Sequence, residues 1–175
     1  MQKVSLVVLF CDISDFLGLS VGLGERMPEF VQQYYEVAGD AVVSCGGSIL
    51  KYIGDAVLCV FPTGREKEAV RCALRMRGAF AGLLRSYSVR EGSQLGVAVS
   101  SGEVTRGVFG HQSLRLDDIM GDIVMHAAIL NRIPGIKVTD KVREAVMTEF
   151  TTTELPSMPM KGKPGTLRAW SVQES

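Results

Sequence analysis

The chain has 175 residues, a length that suits one domain with a sizeable single core. Lys plus Arg and Asp plus Glu number 19 each, so the formal net charge is zero and nothing advertises a nucleic-acid or anionic-membrane partner. A hydrophobic fraction of 46% excludes intrinsic disorder, and no apolar run approaches the roughly 20 residues that span a bilayer.

The N-terminus reaches Asp12 quickly and has no small-residue cleavage site, so no secretory signal is expected. Cys11, Cys45, Cys59 and Cys72 lack metal-type spacing and lie in apolar settings, which predicts buried free thiols in a reducing cytoplasm. Residues 3–11 (KVSLVVLFC) form a continuous apolar run ending at Asp12. That pattern predicts a central strand covered on both faces, with a carboxylate where it leaves the sheet. Asp15-Phe16-Leu17 opens a short loop or helix broken at Gly22-Leu23-Gly24. Pro28 fits the first turn of a helix whose Phe30, Val31, Tyr34, Val37, Ala38 and Ala41 recur three and four apart, and Gly46-Gly47 closes it.

Two apolar runs, residues 48–53 and 56–61, flank Gly54-Asp55, a hairpin signal because Gly tolerates the positive φ of a tight turn. A second long helix is expected over residues 66–86, with Ala69, Cys72, Ala73, Met76, Ala79 and Phe80 on one face. Residues 94–100 and 103–109 read as a strand pair turning at Ser101-Gly102, and residues 110–116 as a polar, mobile stretch. A helix over residues 123–133, a short strand at 136–139, a helix from Asp140 to about Met147 and a final strand within 161–172 complete the chain. No repeat or linker divides it, so residues 1–175 are expected to form one domain, stand-alone or excised.

The order strand, helix, hairpin, helix, strand predicts an α+β fold with a ferredoxin-like βαββαβ core and extra C-terminal helix and strands. In that arrangement the end of the first strand neighbours the hairpin tip, so Asp12 and Asp55 can converge. An Asp at a strand end is often only a turn former. Two of them with a nearby backbone carbonyl also suit a hard divalent cation such as Mg²⁺, which takes oxygen ligands and completes its shell with substrate phosphates. Lys51, four residues before Asp55, adds a cation on the same hairpin.

The segments FCDISDF (10–16), GGSILKYIGDAVL (46–58), LGVAVSSGEVTRGVFG (95–110), LDDIMGDIVMHAA (116–128) and MKGKPG (160–165) resemble, in order, the class III nucleotide cyclase catalytic domain. The resemblance covers nearly the whole chain, and the second segment is its most specific part. It implies that Asp12 and Asp55 are catalytic metal ligands of a two-metal Mg²⁺ or Mn²⁺ site, with the Ile13 carbonyl on one metal. It implies that Lys51 and Asp118 read the purine edge, the adenylate cyclase combination. A carboxylate accepts from the adenine amino group and an ammonium donates to a ring nitrogen. Lys161 matches a lysine on the terminal phosphates, and Phe16 falls in the phosphate-cradling loop. Arg115 is the one candidate phosphate contact in residues 110–116. The resemblance further implies a head-to-tail dimer whose sites take metal residues from one subunit and base-reading residues from the other.

Two departures bear on catalysis. An Asn and an Arg four residues apart are the family's usual transition-state groups, and here those positions hold Met125 and Ile129. Asn131 and Arg132 follow, one helical turn on, with Arg132 the candidate substitute. In the phosphate loop Asp15 and Leu17 stand where the family tends to have Gly and Thr. His126, among Met125, Ala127 and Ala128, is expected to pack or lie at an interface, and His111 to be solvated. Three readings follow: a homodimeric adenylate cyclase of low activity converting ATP to cyclic AMP and pyrophosphate; a degenerate nucleotide-binding or dimerisation module serving regulation; or the metal-site half of a heterodimer with a second cyclase chain.

Overall fold

The computed structural model describes residues 1–89, 92–160 and 165–173. β1 (Gln2–Ile13) runs through the middle of an eight-stranded sheet, and its residues 7–11 are buried. An unbroken Val/Leu run is what such a strand needs, because alternate side chains enter opposite layers. β1 lies antiparallel between β3 (Ala56–Pro62) and β4 (Leu95–His111), and β2 (Ser48–Ile53) pairs with the other edge of β3. The order β2-β3-β1-β4 is that of the expected ferredoxin-like core, and β6 (Gly135–Thr139), β10 (Ala169–Gln173) and β7 (Thr151–Glu154) extend it.

α1 (Phe16–Leu23) and a short 3₁₀ turn lead into α2 (Met27–Ser44), which has Pro28 in its first turn as expected. α2 and α3 (Glu66–Ser86) cover one face of the sheet, meeting Val7, Leu9, Cys11, Val57, Cys59 and Phe61. Edge-to-face contacts of Phe30 with Phe80 and Tyr87, and of Tyr34 with Phe80, knit the two helices together. α4 (Asp122–Leu130) packs on the opposite face over Val8, Phe10, Leu58 and Ala98, so helices lie on both sides of the sheet. α5 (Asp140–Val146) follows β6.

Several sequence expectations are corrected. Residues 94–100 and 103–109 belong to one strand: Ser100, Ser101 and Gly102 pair without interruption with Val8, Val7 and Leu6. Gly102 marks a close approach instead of a turn, since a Cβ there would lie 2.9 Å from Ile123 Cγ2 of α4. Residues 110–116 are hairpin rather than a mobile stretch, because β5 (Leu114–Met120) folds back on β4. His111 Nδ1 lies 2.8 Å from Ser113 Oγ across that turn. α4 stops at Leu130, short of residue 133, with Ile133 standing before Pro134, where helical backbone is disfavoured. β7 and β8 (Met158–Pro159) are not expected from the sequence, and the expected final strand divides into β9 (Thr166–Leu167), which pairs with β8, and β10. Cys11, Cys59 and Cys72 are buried, whereas Cys45 caps α2 and is only half-buried. Among the described residues no helix is long and apolar enough to cross a membrane.

Candidate active site

Asp12 is the penultimate residue of β1, paired with Gly96 of β4, and Asp55 occupies the β2–β3 turn. Gly54 takes φ 61°, the left-handed conformation this turn requires. The Ile13 N–H donates to Asp55 Oδ2 at 3.3 Å, so the hairpin tip folds onto the end of β1 as the fold predicted. Burial first, then a hydrogen bond and the charge of Asp55, push the Asp12 carboxyl up to about 6, while the Ile13 N–H and the charge of Arg132 oppose that rise. Among the described residues no cluster of three or more His, Cys, Asp or Glu gathers as a metal site. Asp12 and Asp55 make a pair.

Lys51 and Asp118 are brought together, with Nζ 2.5 Å from Asp118 Oδ2 and side chains 31% and 20% exposed. A feature that the sequence reading missed makes this possible. The β2–β3 register runs Ile49↔Cys59 and then Lys51↔Leu58, so Leu50 is an extra residue. Without that bulge Lys51 would share the α2-side face of Ile49, because side chains alternate along a strand. With it, Lys51 joins the face of Leu58, over which β5 lays Ile119 and Asp118.

Arg132 follows the end of α4 and lines a cavity of about 300 Å³ with Asp122, Met125, His126, Ile129 and Met160. The expectation that it sits on the same helix as Met125 is overturned by the early helix end. Its place is set by Gly96, whose missing side chain admits the Asn131 carbonyl: a Cβ there would stand 1.8 Å from that oxygen. Because Gly96 is the strand partner of Asp12, the chain at Asn131 packs next to that strand end, and the charge of Arg132 reaches the Asp12 carboxylate.

The other sequence candidates are scattered. Phe16 opens α1 and packs against the helix-side core. Arg115 lies in the exposed β4–β5 arm opposite Gly110, on a different element from the aspartates. Lys161 lies outside the described residues. Asp15 adopts φ 53° and its Oδ1 accepts the Gly18 N–H at 3.2 Å, so the protein's own carboxylate caps the first turn of α1. His111 is exposed, and His126 lines the cavity.

With this geometry in view, the comparisons define the class. The profile described as the adenylate and guanylate cyclase catalytic domain matches residues 1–174, and the chain belongs to that family of class III nucleotide cyclases. It is 26% identical over 181 aligned residues to the terminal-differentiation specific adenylate cyclase of Dictyostelium discoideum, covering 96% of this chain. It spans only 8% of that relative and 27% of an Anabaena cylindrica adenylate cyclase. The fold matches the adenylyl cyclase CyaB of P. aeruginosa with a TM-score of 0.90 at 22% identity, covering 99% of this chain and 96% of that one. It matches the guanylyl cyclase Cya2 with a TM-score of 0.89 at 20% identity, covering 99% and 93%. At such identities these likenesses speak for architecture alone.

Proposed function

We propose that the chain is an adenylate cyclase-type domain that binds Mg²⁺- or Mn²⁺-ATP at a dimer interface and forms cyclic AMP and pyrophosphate at a reduced rate. The observation that carries this reading is the meeting of Asp12 and Asp55, with Asp12 pushed up to about 6 by burial and by its neighbour. Two carboxylates brought together at a strand end and a hairpin tip, with backbone oxygen beside them, form a hard-donor set fit for a divalent cation. Asp12, Asp55 and the Ile13 carbonyl would hold it. Bound there, the metal pair would supply charge stabilisation for the attacking ribose 3′-oxygen and the departing pyrophosphate.

The remaining steps fall to protein groups. Lys51 donates to an adenine ring nitrogen while Asp118 accepts from the exocyclic amino group, and their 2.5 Å contact supports a shared task. Arg132 is the guanidinium whose charge already reaches Asp12, which makes it the candidate contact for the reacting phosphate. Met125 and Ile129 offer that phosphate no hydrogen-bond donor, hence the reduced rate. The dimer is supported by apolar side chains on the β4–β5 arm: Val108 (63% exposed), Leu114 (65%) and Leu116 (55%).

Met125 and Ile129 also favour a second reading, a regulatory nucleotide-binding module or the metal half of a heterodimer whose partner brings the Asn and Arg. The deciding experiment is cyclic AMP formation by the purified chain with Mn²⁺-ATP, beside Asp55→Ala. Weak activity abolished in the control is expected. Nucleotide binding without any turnover would overturn the enzyme reading in favour of the second.

A further inference from the structure

We propose that Tyr34 and Tyr35, adjacent on α2, are positioning residues that brace the two aspartates from behind, each gripping the residue that precedes one of them. This rests on the reading of Asp12 and Asp55 as metal ligands. Neighbouring residues of a helix point about 100° apart, so one side chain can enter the core while the next skirts it. Tyr34 is fully buried, and its hydroxyl lies 3.2 Å from the Sγ of Cys11, the residue before Asp12. The Cys11 thiol donates onward to the Val57 carbonyl at 3.7 Å, so its single proton is used and the Tyr34 hydroxyl is the donor to sulfur. The relay ties β1 to β3 on the face opposite the Asp12 carboxylate.

Tyr35 grips the other aspartate's neighbour. Its hydroxyl donates to the carbonyl of Gly54, the residue before Asp55, and its ring stacks on Tyr52 of β2 with centroids 4.1 Å apart and planes at 28°. The hairpin turn is thereby held both by an aromatic stack on its rising strand and by a hydrogen bond at its apex. The hydrogen bonds of the two tyrosines go to Cys11 and Gly54, the neighbours of the aspartates. Both act through the backbone, from consecutive positions of one rigid helix. A carboxylate pair built on two separate elements needs such a common anchor if its spacing is to suit one cation site, since outer-shell contacts govern ligand placement.

The test is a titration with Mn²⁺ alone, free Mn²⁺ being followed by electron paramagnetic resonance. The wild type, Tyr35→Phe and Asp55→Asn are compared, each with its thermal midpoint in chelator. Tyr35→Phe keeps the ring stack and removes only the hydroxyl. Its Mn²⁺ dissociation constant is expected to rise about tenfold, the low end for loss of an outer-shell partner, with the midpoint unchanged. An affinity equal to wild type, or a loss that merely tracks a lower midpoint, would overturn the brace while Asp55→Asn still abolishes binding. Wild-type protein that binds no Mn²⁺, or an Asp55→Asn variant that binds as well as wild type, would instead bring down the metal reading and the brace with it.

Discussion

Replacing Met125 by Asn together with Ile129 by Arg tests whether missing transition-state groups are what limits this domain. The two positions fall on successive turns of α4 and line the same cavity as Arg132. Met125 is 53% exposed, so exchanging it sacrifices little packing. Ile129 is partly buried against the Leu58–Ala98 layer, and an arginine there can lay its aliphatic stem on the same surface. A donor aimed at charge developing in the transition state contributes on the order of 100- to 1000-fold, about 2.7–4 kcal/mol. The Asp15 carboxylate over the first turn of α1 is left untouched and works against a triphosphate, so the full factor is not expected. A gain of at least about tenfold, roughly 1.4 kcal/mol, is. The assay is the initial rate of cyclic AMP formation from Mn²⁺-ATP, with Asp55→Ala added to each protein as the blank. An unchanged rate in a double variant that keeps its thermal midpoint and its ATP affinity would refute the reasoning and shift the fault to the α1 cap or to assembly.

Gly96→Ala would drive a Cβ to 1.8 Å from the Asn131 carbonyl. We expect about 1–3 kcal/mol of destabilisation by urea unfolding, as for other overpacked sites. Asp12 sits at about 6 in the fold against an ordinary 3.8, so its protonated form favours the folded state at low pH and that contribution is lost as pH rises through about 6. Asp12→Asn should therefore raise the thermal midpoint above that pH and leave it little changed below the ordinary carboxylate range, while wild-type Mn²⁺ affinity climbs over the same window. Asp118→Ala removes the partner of Lys51 and should raise the KM for ATP by roughly 10- to 100-fold, the value of a hydrogen bond to a charged group, with Mn²⁺ affinity unaltered. Leu114→Asp with Leu116→Asp should convert a dimer to a monomer in analytical ultracentrifugation, and a dimer that persists would exclude the β4–β5 arm as its interface.

Much of the architecture was legible because it follows from pattern alone. The Val/Leu run of β1, the Gly54-Asp55 turn and the stripe from Ala69 to Phe80 each admit one periodicity, and the convergence of Asp12 with Asp55 follows from the order of elements. What escaped depends on contacts between distant segments. Ser101-Gly102 carries turn residues, yet Gly102 sits mid-strand because Ile123 of α4 needs the room. The Leu50 bulge leaves no mark in composition, although the spacing of apolar Ile49 and Leu50 beside charged Lys51 breaks strict alternation and was a usable signal. Tyr34 was read only as part of an apolar stripe, since nothing local tells that its hydroxyl meets Cys11.

The candidate site divides into parts placed in different ways, and on the proposed reading the division separates the metal- and base-binding residues from those that would face the phosphate. Asp12, Asp55 and Lys51 are placed by backbone: a strand end, a turn with one left-handed glycine, and a bulge. The groups proposed to face the phosphate depend instead on which residues α4 presents, and α4 presents Met125 and Ile129 before stopping at Leu130. Arg132 lies beyond that stop, held by the Asn131 carbonyl against Gly96 and thus beside the strand partner of Asp12. There its charge already pulls against the raised titration of Asp12, a through-space effect that needs no directed hydrogen bond. Transition-state stabilisation is less forgiving, because it asks for a donor aimed at one oxygen. An arginine set by backbone packing outside the helix supplies the first; on the proposed reading it serves the second less well than a donor presented by α4 would, which is the reduced rate expected.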